Sequence, residues 1–325
     1  MIRKKWLLAL SAGLVLALGV AACGGDDDDD SSSDGGDSAS GLSGSISIDG
    51  SSTVQPFAEA AAELFNEENP DVNITVGAAG TSGGFEKFCA GETDISDASR
   101  SIEPEEVKVC KDGGVQYTEI PVANDGISVV TNPAVEISCL STDQLKQLWI
   151  DDKVTNYSEL GDDADSGEAL PDAEVSLYGP GTDSGTFDYF TDVINGEEGV
   201  SRKEYQASED DNVLVQGVSG DQAGLGYFGF SYYEQNQDAL NLVSVDDGSG
   251  CVAPSSETIQ DGSYTPLSRP LFMYPSAEAM SRPEVAGFMQ YVVDNFDSIA
   301  EAALIVPMDD SQASKAQSAF QEASG

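Results

Sequence analysis

Ser45-Ile46-Ser47-Ile48-Asp49-Gly50-Ser51-Ser52-Thr53 opens the stretch that decides the fold. Its first five residues alternate polar and apolar side chains, the pattern of a strand with one buried face. Gly50-Ser51-Ser52-Thr53 is a turn ending in residues that cap helices well. Phe57, Ala61, Leu64 and Phe65 then recur at helical spacing, with Pro56 in the first turn, where it is tolerated. Asn69-Pro70 stops that helix, and Val72-Asn73-Ile74-Thr75-Val76 predicts a second strand. Strand, hydroxyl-rich turn, helix, strand is the rhythm of a parallel βαβ unit.

The rhythm continues downstream. Gly80-Thr81-Ser82-Gly83-Gly84 predicts a turn, with a helix over 85–90. Strands are expected at 127–131 and 175–178, an amphipathic helix at 142–149, and C-terminal helices at 283–295 and 311–322. Residues 161–172 form an acidic loop. No internal repeat is evident, and the length beyond residue 44 suits two lobes with separate cores.

Three turns share one design. Ser51-Ser52-Thr53-Val54, Thr81-Ser82-Gly83-Gly84 and Ser184-Gly185-Thr186 each place small hydroxyl residues or glycine at a helix start after a predicted strand. A helix start offers unpaired N–H groups and a partial positive charge, so it attracts anions. Singly, each is an ordinary N-cap; together they sit at the sheet edge where open α/β folds bind ligands.

Composition narrows the chemistry. With 58 acidic and 14 basic residues the formal charge is −44, which argues against nucleic acid or anionic lipid as partners. There is no histidine, which removes His-based triads, His general bases and the commonest zinc ligand. The acidity does not exclude an anion site. The Debye length is about 8 Å at physiological salt, so distant carboxylates are screened and local donors decide.

The N-terminus carries Arg3, Lys4 and Lys5, then an apolar run from Trp6 to Ala22, then Cys23. Val20-Ala21-Ala22-Cys23 resembles a bacterial lipobox, so residues 1–22 are expected to be a lipoprotein signal peptide and Cys23 the lipidated (palmitate-bearing) residue. Residues 23–44 are mostly Gly, Asp and Ser and read as a disordered acidic tether. The other four cysteines, Cys89, Cys110, Cys139 and Cys251, suggest two disulfides in an exported chain, with three pairings open.

Asp49-Gly50-Ser51-Ser52-Thr53-Val54, Gly80-Thr81-Ser82-Gly83-Gly84-Phe85 and Asp94-Ile95-Ser96-Asp97-Ala98-Ser99-Arg100 resemble, in order, the phosphate-binding subunit of the ABC-type phosphate importer. Asn124-Asp125-Gly126-Ile127, Asp183-Ser184-Gly185-Thr186-Phe187 and Pro266-Leu267-Ser268-Arg269-Pro270 extend the resemblance. It runs from about residue 46 to 307. It implies a two-lobed α/β fold of the periplasmic-binding-protein type (type II), each lobe a mixed sheet flanked by helices, closing on a two-strand hinge.

The resemblance implies binding of inorganic phosphate by Thr53, Val54, Thr81, Ser99, Arg100, Ser184, Gly185 and Thr186. It implies delivery to the transmembrane subunits of an ABC permease by a monomer, lipid-anchored on the outer face of the cytoplasmic membrane. It calls for no catalysis, cofactor or metal. Lobe one is expected at 45–122 plus 270–325 and lobe two at 123–269. Cys89–Cys110 and Cys139–Cys251 are the pairings that leave such lobes free to move. The chain departs from the best-known members twice: Ser99 replaces an aspartate, and Pro180 replaces an arginine four residues before Ser184. Arg100 stands in for the missing charge, and Asp125, or else Asp183, for the missing acceptor of the phosphate proton. The departures also keep sulfate, molybdate or tungstate binding open. A serine hydrolase built on Ser184 lacks a histidine base.

Overall fold

The computed structural model describes residues 41–150 and 152–324. The expected signal peptide, Cys23 and most of the tether lie outside the described residues. Among the described residues no helix is long and apolar enough to cross a membrane.

The strands are β1 (Ser43–Gly50), β2 (Asp71–Val76), β3 (Ile95–Ala98), β4 (Ile120–Thr131), β5 (Cys139–Ser141), β6 (Ser176–Gly179), β7 (Gln206–Ala207), β8 (Gly224–Gly229), β9 (Asn241–Asp246), β10 (Cys251–Val252) and β11 (Ser268–Pro275). The main sheet path runs β2-β1-β3-β11-β4-β8-β6-β7, with β9 joining β4, β5 and β10. β1 is parallel to β2 and β3, as the opening βαβ pattern requires. β11 returns antiparallel to both β3 and β4.

Two strands carry the chain between two apolar cores. β4 pairs with β11 over Ile120–Gly126, then with β8 from Ile127 onward. Val122 and Ala123 pack in one core with Ile46, Phe57, Phe65 and Phe288. Ile127 and Val129 pack in the other with Trp149, Phe190 and Tyr227. The chain changes over in the same place as it enters β11: Leu267, just before the strand, belongs to the second core and Leu271 to the first. Between them the sequence turns polar on both strands, where Ser268 faces Gly126 and Arg269 faces Asp125. The hydrophobic pattern thus breaks where the sheet leaves one core for the next.

A third segment joins this crossover. Val306 exchanges backbone hydrogen bonds with Asn124 (2.8 and 3.1 Å) and packs in the second core. The Asn124 and Gln312 side-chain amides bond reciprocally at 2.8 and 2.9 Å.

Helices α1 (Gln55–Glu68), α2 (Thr81–Cys89), α3 (Pro104–Gly113), α4 (Thr142–Ile150) and α5 (Gly185–Phe190) follow the strands. α5 runs on into a wider turn over Thr191–Asn195. One boundary differs from the sequence reading: α2 begins at Thr81, so Gly83 and Gly84 are helical and not part of a turn. A Cβ on Gly84 would stand 2.5 Å from the Gly50 Cα. Glycine is required there for close approach of helix and strand, which outweighs its helix penalty of about 1 kcal/mol. The turn itself falls on Gly80, whose φ of +80° suits glycine.

The disulfides join Cys89 to Cys110, tying α2 to α3, and Cys139 to Cys251, tying β5 to β10.

Candidate functional site

The hydroxyl-rich turns at the C-terminal ends of β1 and β6 meet. A Cβ on Gly185 would fall 2.4 Å from Thr53 Oγ1 and 2.7 Å from Ser52 Oγ, so the starts of α1 and α5 touch and only glycine fits between them. The Ser184 hydroxyl caps α5 by accepting from the Thr186 amide at 3.2 Å. Ser51 Oγ accepts from the Thr53 amide at 3.2 Å.

The start of α2 approaches from the side of β3. Asp49, at the end of β1, accepts from the Ala79 amide at 2.9 Å and pairs with Lys87 at 2.5 Å. Burial raises the Asp49 carboxyl, but Lys87 and the Ala79 amide outweigh it and hold it below its ordinary value. That pairing fixes the loop presenting Thr81. The Thr81 and Ser99 hydroxyls lie 3.1 Å apart, and Thr81 Oγ1 accepts from the Ser99 amide at 3.2 Å.

These turns surround a cavity of about 520 Å³ lined by Thr53, Thr81, Ser99, Arg100, Gly185 and Arg269, among others. A second cavity, of about 350 Å³, lies beyond the Thr53–Gly185 contact and is lined by Ser184, Thr186, Asp125 and Asp183, among others. Thr53 and Gly185 line both. The Val54 side chain is buried in the first core, Val54 lines neither cavity, and its backbone N–H donates to the Ser51 carbonyl at 3.1 Å.

At the centre is a residue that enters the sequence reading only within the resemblance, with no role in the site. Arg269 Nη2 donates to Thr53 Oγ1 at 2.7 Å and to the Gly185 carbonyl at 3.3 Å. Its Nη1 donates to Ser99 Oγ at 3.0 Å, and its Nε to Asp125 Oδ2 at 3.1 Å. The guanidinium lies over the Tyr189 ring, 3.7 Å from its centroid. Sequence reasoning missed it because Arg269 is 216 residues from Thr53 and 170 from Ser99. The available signal was its place in the polar break opposite Asp125.

Arg100 is held differently. Its two Nη atoms each donate to Glu106 at 2.8 Å, its Nε lies 3.5 Å from Glu103, and Nη2 also reaches Ser82 Oγ at 3.0 Å. The Glu106 hydrogen bonds raise its pKa above the ordinary value despite partial burial. Its charge is therefore met by two carboxylates, whereas Arg269 pairs with one and spends its other contacts on neutral oxygens. Neutral partners are the easier to exchange for an anion.

Asp125 is 8% exposed, with one carboxylate oxygen engaged by Arg269. Asp188, on the wall of the larger cavity, has its carboxyl raised by burial and by Glu198, with Arg269 opposing. Asp211, on the smaller cavity, is raised to about 6 by burial and by neighbouring Asp210, Asp125 and Glu209, against a hydrogen bond from the Gly229 backbone.

Comparison with known proteins follows the same lines. The PBP superfamily domain is recognised over residues 35–295. The chain is 42% identical over 267 residues to protein SphX of Synechococcus elongatus, spanning 81% of this chain and 77% of that protein. It is 37% identical over 308 residues to the phosphate-binding protein PstS of Staphylococcus saprophyticus, spanning 94% and 91% respectively. Among solved structures, a possible phosphate binding protein from Planctomyces limnophilus superposes with a TM-score of 0.80 at 42% identity, over 87% of this chain and 99% of that one. A putative phosphate ABC transporter substrate-binding protein with bound phosphate from Clostridium perfringens superposes at 0.57 with 27% identity, over 82% and 100%. The chain belongs to the PBP superfamily, in the family of the PstS phosphate-binding proteins.

Proposed function

We propose that this chain captures inorganic phosphate outside the cytoplasmic membrane and passes it to the transmembrane subunits of an ABC-type permease. The observation that carries the reading is the convergence of the starts of α1, α2 and α5 and one half-buried guanidinium on a single cavity. Thr53, Thr81, Ser99, Ser184, Gly185 and Thr186 supply hydroxyl and amide donors. Arg269 supplies the central charge, and Arg100 a second charge at the rim. A micromolar site needs about 8 kcal/mol net, which several charge-assisted bonds of about 1.5–3 kcal/mol each provide after the cost of association.

The protein acts as a carrier and not as an enzyme. Residues 45–122 with 270–325 form one lobe and 123–269 the other, swinging about the polar break in β4 and β11. Phosphate bridges both and favours the closed state. Asp125, paired with Arg269 at 3.1 Å, accepts a hydrogen bond from the proton of hydrogen phosphate and repels sulfate, which has none to give. The monomer is tethered through a lipid on Cys23.

Titration calorimetry with phosphate, arsenate, sulfate and molybdate tests the reading. Phosphate and arsenate are expected to bind at micromolar concentrations or tighter, with sulfate and molybdate at least about 100-fold weaker. Equal or tighter binding of sulfate or molybdate assigns the site to another oxyanion. Turnover of a phosphate ester would replace the carrier by an enzyme.

A further inference from the structure

Tyr189 sits on α5, four residues beyond Gly185, and makes two kinds of contact with the crossing strand. Its ring lies against the Arg269 guanidinium, with the guanidinium carbon 3.7 Å from the centroid. Its hydroxyl lies 2.5 Å from the Pro266 carbonyl oxygen and 3.0 Å from that of Ser268, so its one proton is shared between the two residues that lead into Arg269. Those carbonyls lie at and just before the start of β11, where the chain leaves the second core at Leu267. Tyr189 also lines the larger cavity.

We infer that Tyr189 is the positioning residue for Arg269, making the guanidinium part of the α5 half of the site before any anion arrives. The argument is one of degrees of freedom. An arginine side chain has several rotatable bonds and loses substantial entropy when one geometry is imposed. Asp125 restrains only the Nε edge. A flat ring beneath the guanidinium fixes its plane, leaving the two Nη atoms aimed at Thr53 and Ser99. Aromatic stacking is suited to this, because it holds a cation without using the N–H groups needed for the anion. The hydroxyl bonds anchor the ring to the backbone of the strand that carries Arg269. Separation of the two halves would thus break the hydroxyl contacts to Thr53 and Ser99 while the Tyr189–Arg269–Asp125 stack persists.

The inference extends the phosphate reading, and the test separates the two. In ligand-free protein, the Arg269 Nε–H resonance is expected to carry an upfield ring-current shift that disappears in Tyr189→Leu. A wild-type resonance without that shift overturns the positioning role, whatever the ligand proves to be. For phosphate, Tyr189→Leu is expected to weaken binding about 5- to 30-fold, and Tyr189→Phe, which keeps the ring, no more than about 3-fold. In an Arg269→Ala background Tyr189→Leu should add nothing further. An equal loss in both backgrounds shows that Tyr189 acts through something other than Arg269 and overturns the inference. Failure of wild-type protein to bind phosphate, with the ring-current shift present, refutes the phosphate reading and leaves the positioning role standing. The wild-type resonance decides the matter even if Tyr189→Leu does not fold.

Discussion

Replacing Arg269 by alanine is expected to abolish most phosphate binding. Its two Nη groups contact Thr53 Oγ1, Ser99 Oγ and the Gly185 carbonyl, all neutral oxygens that an anion can supplant. Two charge-assisted bonds are worth about 3–6 kcal/mol together, which corresponds to roughly 10²- to 10⁴-fold in Kd. The truncation also leaves Asp125 without its cation, 8% exposed and beside the incoming anion, which pushes the loss toward the upper end. Arg100→Ala is the internal comparison. That guanidinium is already bonded twice to Glu106 and lies near Glu103, so its removal should cost no more than about 10-fold. Calorimetry at physiological salt on both variants, with thermal melts to establish folding, measures the difference. If Arg100→Ala loses binding and folded Arg269→Ala stays within about threefold of wild type, the assignment of the central charge to the crossing strand is refuted.

Gly185→Ala places a methyl 2.4 Å from Thr53 Oγ1 and should hold the two helix starts apart. Phosphate affinity is expected to fall by at least about 100-fold while the melting temperature changes little, and unchanged affinity would show that this contact is not needed for binding. Asp211 tests pH linkage. Its folded pKa is raised to about 6, above an ordinary 3.8, so its contribution to stability is full below pH 3.8 and is lost as pH rises to about 6. Asp211→Asn should therefore gain about 3 kcal/mol over wild type at pH 8 and little at pH 3.5, as read by urea melts; equal gains at both pH values contradict the burial argument. Reduction provides a fourth check. The Cys89–Cys110 and Cys139–Cys251 bridges span 21 and 112 residues. Removing them singly by Cys→Ser pairs should cost about 3 and about 5 kcal/mol, the longer loop costing more, and the reverse order would argue against a chain-entropy origin.

Much of the site could be read locally. Each hydroxyl turn lies within a few residues of the strand before it and the helix after it, and alternation and helical spacing report on neighbours of that kind. The same locality explains the extent of α2. Gly83 and Gly84 look like a turn to any reading that sees only adjacent residues, because the reason for Gly84 is Gly50, more than thirty positions away. Arg100 shows the converse: its motif position suggests a ligand, and only the fold brings Glu106, in the first turn of α3, to pair with it.

What the order of residues determined alone was the class of fold and the kind of guest. Alternating strands, capped helices and a complete lack of histidine follow from composition and short-range pattern. Which cation stands at the centre was decided by strand register. Only the antiparallel pairing of β11 with β4 sets Arg269 opposite Asp125, and only packing of α5 against that crossing slides Tyr189 beneath it. Register depends on how two whole cores assemble around the strands they share, a long-range property that no window along the chain contains.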